Sequence, residues 1–198
     1  MSETEETEYI TVCSSKSLSK SGGLFSEQNS LSKTDKMLIN TIEIFSELLT
    51  DICEESKKCS SKSIYIKSFM TKSIPSISLK NYMLRLFRYT KMNESTIIII
   101  LIYIDKICNM NNKKISYYNI FKLILGSMIA AIKYNEDQFY PAEVYAKLGG
   151  VSVSELNLLE MEFYKLIDFK LFVDEEIFLK YREYLSSFKD DEDEEKEL

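Results

Sequence analysis

From about residue 34 onward the chain alternates apolar stripes with short polar breaks, and the spacing within each stripe is helical. Leu38, Ile42, Phe45, Leu48 or Leu49, and Ile52 recur at intervals of three and four, which predicts one buried helix face. Ser32, Thr34 and Asp35 offer capping oxygens at its start. The Ser/Lys cluster within Glu54 to Ser63 interrupts the period and predicts a connector. Pro75 and Ser76 then mark a turn before a helix from Ser78 to Tyr89, and Asn93 is placed to cap the next, which runs to Cys108. Its apolar run, Ile97 to Ile104, lies between Glu94 and Asp105 and is far shorter than the roughly 20 residues of a membrane span. It predicts a buried helix.

The polar stretch Asn109 to Lys114 predicts a loop, and Ser116 a cap for a helix through Tyr134. That helix carries Gly126, Ser127, Ala130 and Ala131 among Leu123, Leu125, Met128 and Ile129. Small residues let neighbours approach closely, so this is the expected central helix. Pro141 suits the start of a shorter helix and Gly149–Gly150 its end. Ser152 and Glu155 fit a capping box for the next helix. Asp174, Glu175 and Glu176 open a last helix with Ile177, Phe178, Tyr181, Tyr184 and Leu185 on its apolar side. The expected fold is all-α: five helices in one compact unit, with an extra N-terminal and an extra C-terminal helix. Residues 1–33 read as a disordered polar tail, 34–189 as the domain (core about 64–172), and 190–198 as an acidic, disordered C-terminal tail.

Composition sharpens this picture in three ways. Only 5 glycines and 2 prolines occur in 198 residues, which favours helices over turn-rich β architecture. The net charge of −6 resides in the tail Asp190 to Leu198, with seven acids and one lysine, so the rest balances at 24 basic and 24 acidic residues. A balanced body lacks the basic footprint of a general nucleic-acid binder. Finally, there is no histidine, and Cys13, Cys53, Cys59 and Cys108 form no CxxC pair, which argues against a zinc site and removes Ser-His and Cys-His triads. No secretory signal opens the chain, so reduced, intracellular thiols are expected. No paired catalytic carboxylates or phosphate-cradling glycine loop suggest an enzyme. The expectation is no metal, no cofactor, no small-molecule substrate, no nucleic acid and no membrane.

Several separated blocks, in order, resemble the cyclin box, and their spelling is similar to the P/U, or phosphate-pathway, type. They are SIPSISLKNYMLRLFRY (Ser73 to Tyr89), YIDKI (Tyr103 to Ile107), YAKLGG (Tyr145 to Gly150) and LNLLEMEF (Leu156 to Phe163). The resemblance covers about Ile64 to Leu185. It implies a regulatory subunit that binds and activates a cyclin-dependent protein serine/threonine kinase, acting in the nucleus, the cytoplasm or both. In cyclins a lysine ending the third box helix and a glutamate in the fifth form the main polar contact with the kinase. By motif these are Lys133 in AAIKY and Glu160, rather than Glu162, in LLEME. The resemblance further implies Tyr134, Glu136, Tyr164, Phe169 and Leu171 as the surrounding kinase-facing surface. With no tryptophan in the chain, the docking patch of many cell-cycle cyclins has no counterpart.

Plainer readings stand beside these. Lys133 alone reads as a solvated helix-end lysine and Glu160 as a surface carboxylate. Periodicity leaves Tyr164 and Phe169 open between core and interface, and Arg85 reads as a surface or structural arginine. At the level of function, the alternatives are a helical scaffold, or a transcription-factor-like domain of the same fold, without kinase activation.

Overall fold

The structure is a computed structural model that describes residues 33–58, 64–111 and 113–194. Its helices are α1 (Lys33–Lys58), α2 (Leu79–Thr90), α3 (Glu94–Asn111), α4 (Ile120–Asn135), α5 (Ala142–Gly149), α6 (Val153–Leu166) and α7 (Glu175–Glu194). The architecture is the all-α one expected, with α2–α6 as the five-helix unit and α1 and α7 as the extra pair. Residues 1–32, with most of the N-terminal tail and Cys13, lie outside the described part, as do Cys59 and residues 195–198.

The central element is α4. Every residue from Ile120 to Ile132 except Lys122 is buried, so the helix is apolar on all sides and must be surrounded. It packs most extensively against α3 and α6, and touches α5 and the 3-10 turn Lys67–Phe69. Gly126 permits the close approach of the 3-10 turn and of α6. A Cβ there would stand 3.0 Å from Cε1 of Phe69 and 3.5 Å from both the carbonyl of Leu159 and Cβ of Phe163. The isoleucine run of α3 is buried as its pattern predicted, from Ile97 through Ile104.

Local chemistry sets most boundaries. Ser78 and Ser152 cap α2 and α6 by accepting from the backbone N–H of Asn81 and Glu155. The capping box at α6 is only half made, because Glu155 pairs with Lys122 at 2.7 Å instead of reaching back. Gly150 closes α5 in the left-handed conformation at φ 71°, which glycine adopts without a Cβ penalty.

Four boundaries depart from the expectation. Helix α1 continues through Lys58, where a connector was expected. Glu54 and Lys57 pair one turn apart at 2.8 Å, and Lys57 and Lys58 suit the negative end of the dipole. Residues 109–111 extend α3, with Asn109 donating to Asp105 one turn back, and Lys113–Lys114 form a parallel two-residue strand, β2, against β1 (Ile64–Tyr65). Two residues are too few for alternation to appear in a sequence. Helix α4 begins at Ile120 rather than beside Ser116. The side chain of Asn119 accepts from the Ser116 N–H and donates to the Lys114 carbonyl, so 116–119 form a turn. Helix α7 runs on to Glu194, through the start of the acidic run, where glutamate is a good helix former and no proline or glycine intervenes.

Of the two extra helices, α1 packs mainly on α2 and α7 mainly on α3. Helix α7 packs on α3 and α1, and the buried hydroxyl of Tyr181 donates to the fully buried carboxylate of Asp105. Replacing Tyr181 by Phe keeps the ring and removes that donor from a buried acceptor. The expected cost is about 1–3 kcal/mol, read as a lower urea midpoint at unchanged m-value.

Candidate functional site

Lys133 lies in the last turn of α4, where a cation complements the helix dipole. Its buried neighbours Ala131 and Ile132 close the apolar stretch, so the chain reaches the surface at this residue. Glu160 faces it from the middle of α6. The ammonium Nζ donates to both carboxylate oxygens, at 2.7 Å to Oε1 and 2.8 Å to Oε2. The side chain of Lys133 is 40% exposed and that of Glu160 only 14%. Glu162, two positions on, points elsewhere, accepting from Ser68 and pairing with Lys165. The structure thus brings together the two residues the motifs selected.

Tyr164, one turn after Glu160 on the same face, donates its hydroxyl to Oε1 at 3.0 Å. Burial, then the negative charge of Glu160, pushes its phenol up to about 12, so it remains a donor throughout the physiological range. The ring of Phe169 stacks on that of Tyr164, with centroids 6.2 Å apart at 18°. Between core and interface, Tyr164 is half-buried, while Phe169 is 66% exposed. Tyr134, beside Lys133, is exposed as well. Four of the seven predicted residues therefore form one contact chain, Lys133–Glu160–Tyr164–Phe169.

Two others do different work. The carboxylate of Glu136 turns to the N-terminus of α3, accepting from the Asn93 N–H at 3.0 Å, the Asn93 side-chain amide at 2.7 Å and the Thr96 hydroxyl. An acid at a helix N-terminus satisfies orphan donors and the positive dipole end. This corrects one expectation, since Asn93 spends its side chain on Glu136 rather than capping α3 itself; Glu136, expected on the kinase-facing surface, is bonded to α3 as well. Leu171 is half-buried, and its carbonyl accepts from the Tyr103 hydroxyl at 2.7 Å. It anchors the turn after α6 more than it presents a side chain.

That turn has further fixings that sequence reasoning missed. Lys106, 8% exposed, donates to the Lys170 carbonyl at 2.8 Å. Asp168 and Phe169 both adopt positive φ, 55° each, and Phe172 stands exposed beside them. The available signal was the block YIDKI itself, whose Tyr103, Asp105 and Lys106 are polar residues in an otherwise apolar helix. Arg85 packs over the ring of Tyr82, 5.3 Å from its centroid, in line with a structural reading.

Lys133 and Glu160 cannot matter much for folding. With its Lys133 end in solvent, the pair contributes only about 0–1 kcal/mol. What the arrangement offers is recognition. An ammonium has three protons and Glu160 takes two contacts, which leaves donor capacity for a backbone carbonyl and acceptor capacity on Oε2 for an N–H. Among the described residues no group of His, Cys, Asp and Glu could hold a metal ion, and no helix is long and apolar enough to cross a membrane. Burial pushes the thiols of Cys53 and Cys108 up to about 12, so both are protonated and poor ligands near neutral pH.

Comparison with known proteins places these features in a family. The Cyclin family model matches residues 17–171. Cyclin-U2-1 of Arabidopsis thaliana is 38% identical over 114 residues, which is 57% of this chain and 51% of that protein. The PHO85 cyclin-like protein psl1 of Schizosaccharomyces pombe is 34% identical over 122 residues, 61% of this chain and 50% of its own. Cyclin-U4-2 of Arabidopsis thaliana is 32% identical over 158 residues, covering 78% of this chain and 72% of that protein. The chain thus spans about half the length of the first two and more of the third.

Glu136→Ala is expected to lower stability by about 1–2 kcal/mol, as loss of a helix cap does. Thermal unfolding measures it, and the loss should exceed that of Lys133→Ala.

Proposed function

This chain belongs to the cyclin family, of the P/U type, and we propose that it is the non-catalytic subunit that binds and activates a cyclin-dependent protein serine/threonine kinase. The observation that carries the reading is the doubly bonded Lys133–Glu160 pair, set at the surface beside stacked Tyr164 and exposed Phe169. A pair worth so little to the fold, yet held in one geometry by α4, α6 and Tyr164, suits a docking point formed before its partner arrives. Preorganisation of this kind removes part of the ordering cost of association.

In this reading the kinase's αC helix and the backbone near it meet Lys133, Glu160, Tyr134, Tyr164, Phe169 and Leu171, while Glu136 holds the end of α4 to α3 beneath them. The cyclin binds the inward position of αC more tightly than the outward one. That shift lets the αC glutamate pair with the strand-β3 lysine that grips the ATP phosphates. The partner supplies all of the chemistry, and the cyclin supplies differential affinity. The proposed site of action is the nucleus, the cytoplasm or both.

The test is activation of purified cyclin-dependent kinases by the full chain, read as phosphorylation of a peptide substrate, with binding measured in parallel. Lys133→Ala or Glu160→Ala is expected to cost about 2–4 kcal/mol of kinase binding, as central interface residues do, while melting temperature stays nearly unchanged. Wild-type binding by the double alanine variant would reject the assignment. Binding without activation would make the chain a scaffold instead.

A further inference from the structure

The turn that carries Phe169 is fixed from outside as well as from within. After α6 the chain passes through two successive non-glycine residues with φ of 55°, Asp168 and Phe169. Side chains other than glycine adopt that conformation at a cost. Within the turn the bonds are short-range: Phe169 N–H to the Tyr164 carbonyl, Lys170 N–H to that of Ile167, and Leu171 N–H to that of Phe169. Asp168 and Lys170 pair at 2.9 Å, but both are exposed, so that pair adds little. Two fixings from outside the turn come from one turn of one helix. Tyr103 and Lys106, three apart on α3 and hence on one face, reach the consecutive carbonyls of Leu171 and Lys170 at 2.7 and 2.8 Å.

Both donors are built into the core. Tyr103 is fully buried, with its ring 6.0 Å from that of Phe163 on α6, and Lys106 is 8% exposed. Burial lowers the proton affinity of Lys106, a cost the molecule bears to place a charge there. A lysine that served solubility alone would not be buried.

We infer that Tyr103 and Lys106 are positioning residues, which clamp the Lys170 and Leu171 carbonyls so that the turn presents Phe169 against Tyr164 and the Lys133–Glu160 pair. The inference rests on the kinase-facing reading of that surface. The clamp acts through the turn and touches no partner. It ties the partner surface to α3, so a change in the core beneath is felt at the docking point.

The experiment uses the full chain and the cyclin-dependent kinase that the wild-type chain activates. Tyr103→Phe removes one hydroxyl and keeps the ring; Lys106→Met keeps the stem; Lys106→Arg keeps a donor. Tyr103→Phe and Lys106→Met should each weaken kinase binding about tenfold, as loss of one such bond does, and Lys106→Arg should recover most of the loss. Amide hydrogen exchange in residues 167–172 should quicken in the first two variants, while α4 and α6 keep wild-type protection. Glu160→Ala separates the two levels. If it weakens binding but Tyr103→Phe and Lys106→Met bind as wild type, the clamp is overturned and the kinase-facing reading stands. If Glu160→Ala itself binds as wild type, that reading falls and the inference with it. Lost binding with faster exchange throughout the helices would mean a fold defect, and would also overturn a positioning role.

Discussion

A helix with no polar side cannot lie on a surface, and α4 is such a helix. Its burial from Ile120 to Ile132, Lys122 apart, requires cover on every side, and the rest of the architecture supplies it. Helices α3 and α6 take the two largest faces, with Gly126 letting the α6 backbone come close. The constraint also determines where function can appear. The apolar stretch ends at Ile132, so Lys133 is the first residue beyond it to meet solvent, and the helix beside it is the one that bears Glu160. Core packing thus delivers a cation and an anion to one point on the surface without either contributing much to stability.

The second organising element is the polar insertion in α3. Tyr103, Asp105 and Lys106 interrupt a run of isoleucines, and each is spent on a segment far along the chain: Leu171, Tyr181 and Lys170 respectively. Buried polar groups are costly unless satisfied, and here each bond joins α3 to a segment C-terminal to α6. Helix α3 therefore fixes both the last helix and the turn that displays Phe169. Glu136 performs a related task at the other end of α3, tying its first turn to the end of α4.

Much of this is legible in the residues. Periodicity locates α2, α5 and α6 closely, because serine caps, Pro141 and Gly150 act through local geometry. The central position of α4 follows from its small residues. The Lys133–Glu160 pair comes from resemblance, not from periodicity, and the motif alone separates Glu160 from Glu162, whose neighbours in space prove different. The features that sequence hides depend on contacts distant along the chain. That α1 runs past Glu54 reflects an ion pair and a bond from Tyr117, sixty-three positions on. The two-residue strands carry no pattern at all. Glu136 reads as a surface acid because nothing local reveals that Asn93 and Thr96 stand beside it. The roles of Tyr103 and Lys106 depend on the turn's backbone, which no side-chain pattern encodes.

The most direct test of the central claim exchanges the two charges, Lys133→Glu with Glu160→Lys. The exchanged pair can still attract across the same helices, at a dipole cost of about 0.3–1 kcal/mol at the end of α4. If the pair serves to offer a donor and an acceptor at fixed places to a kinase, the double variant will fold with nearly wild-type stability and fail to activate. If it serves only to join α4 to α6, the exchange will restore activation to the wild-type level, and the account is contradicted.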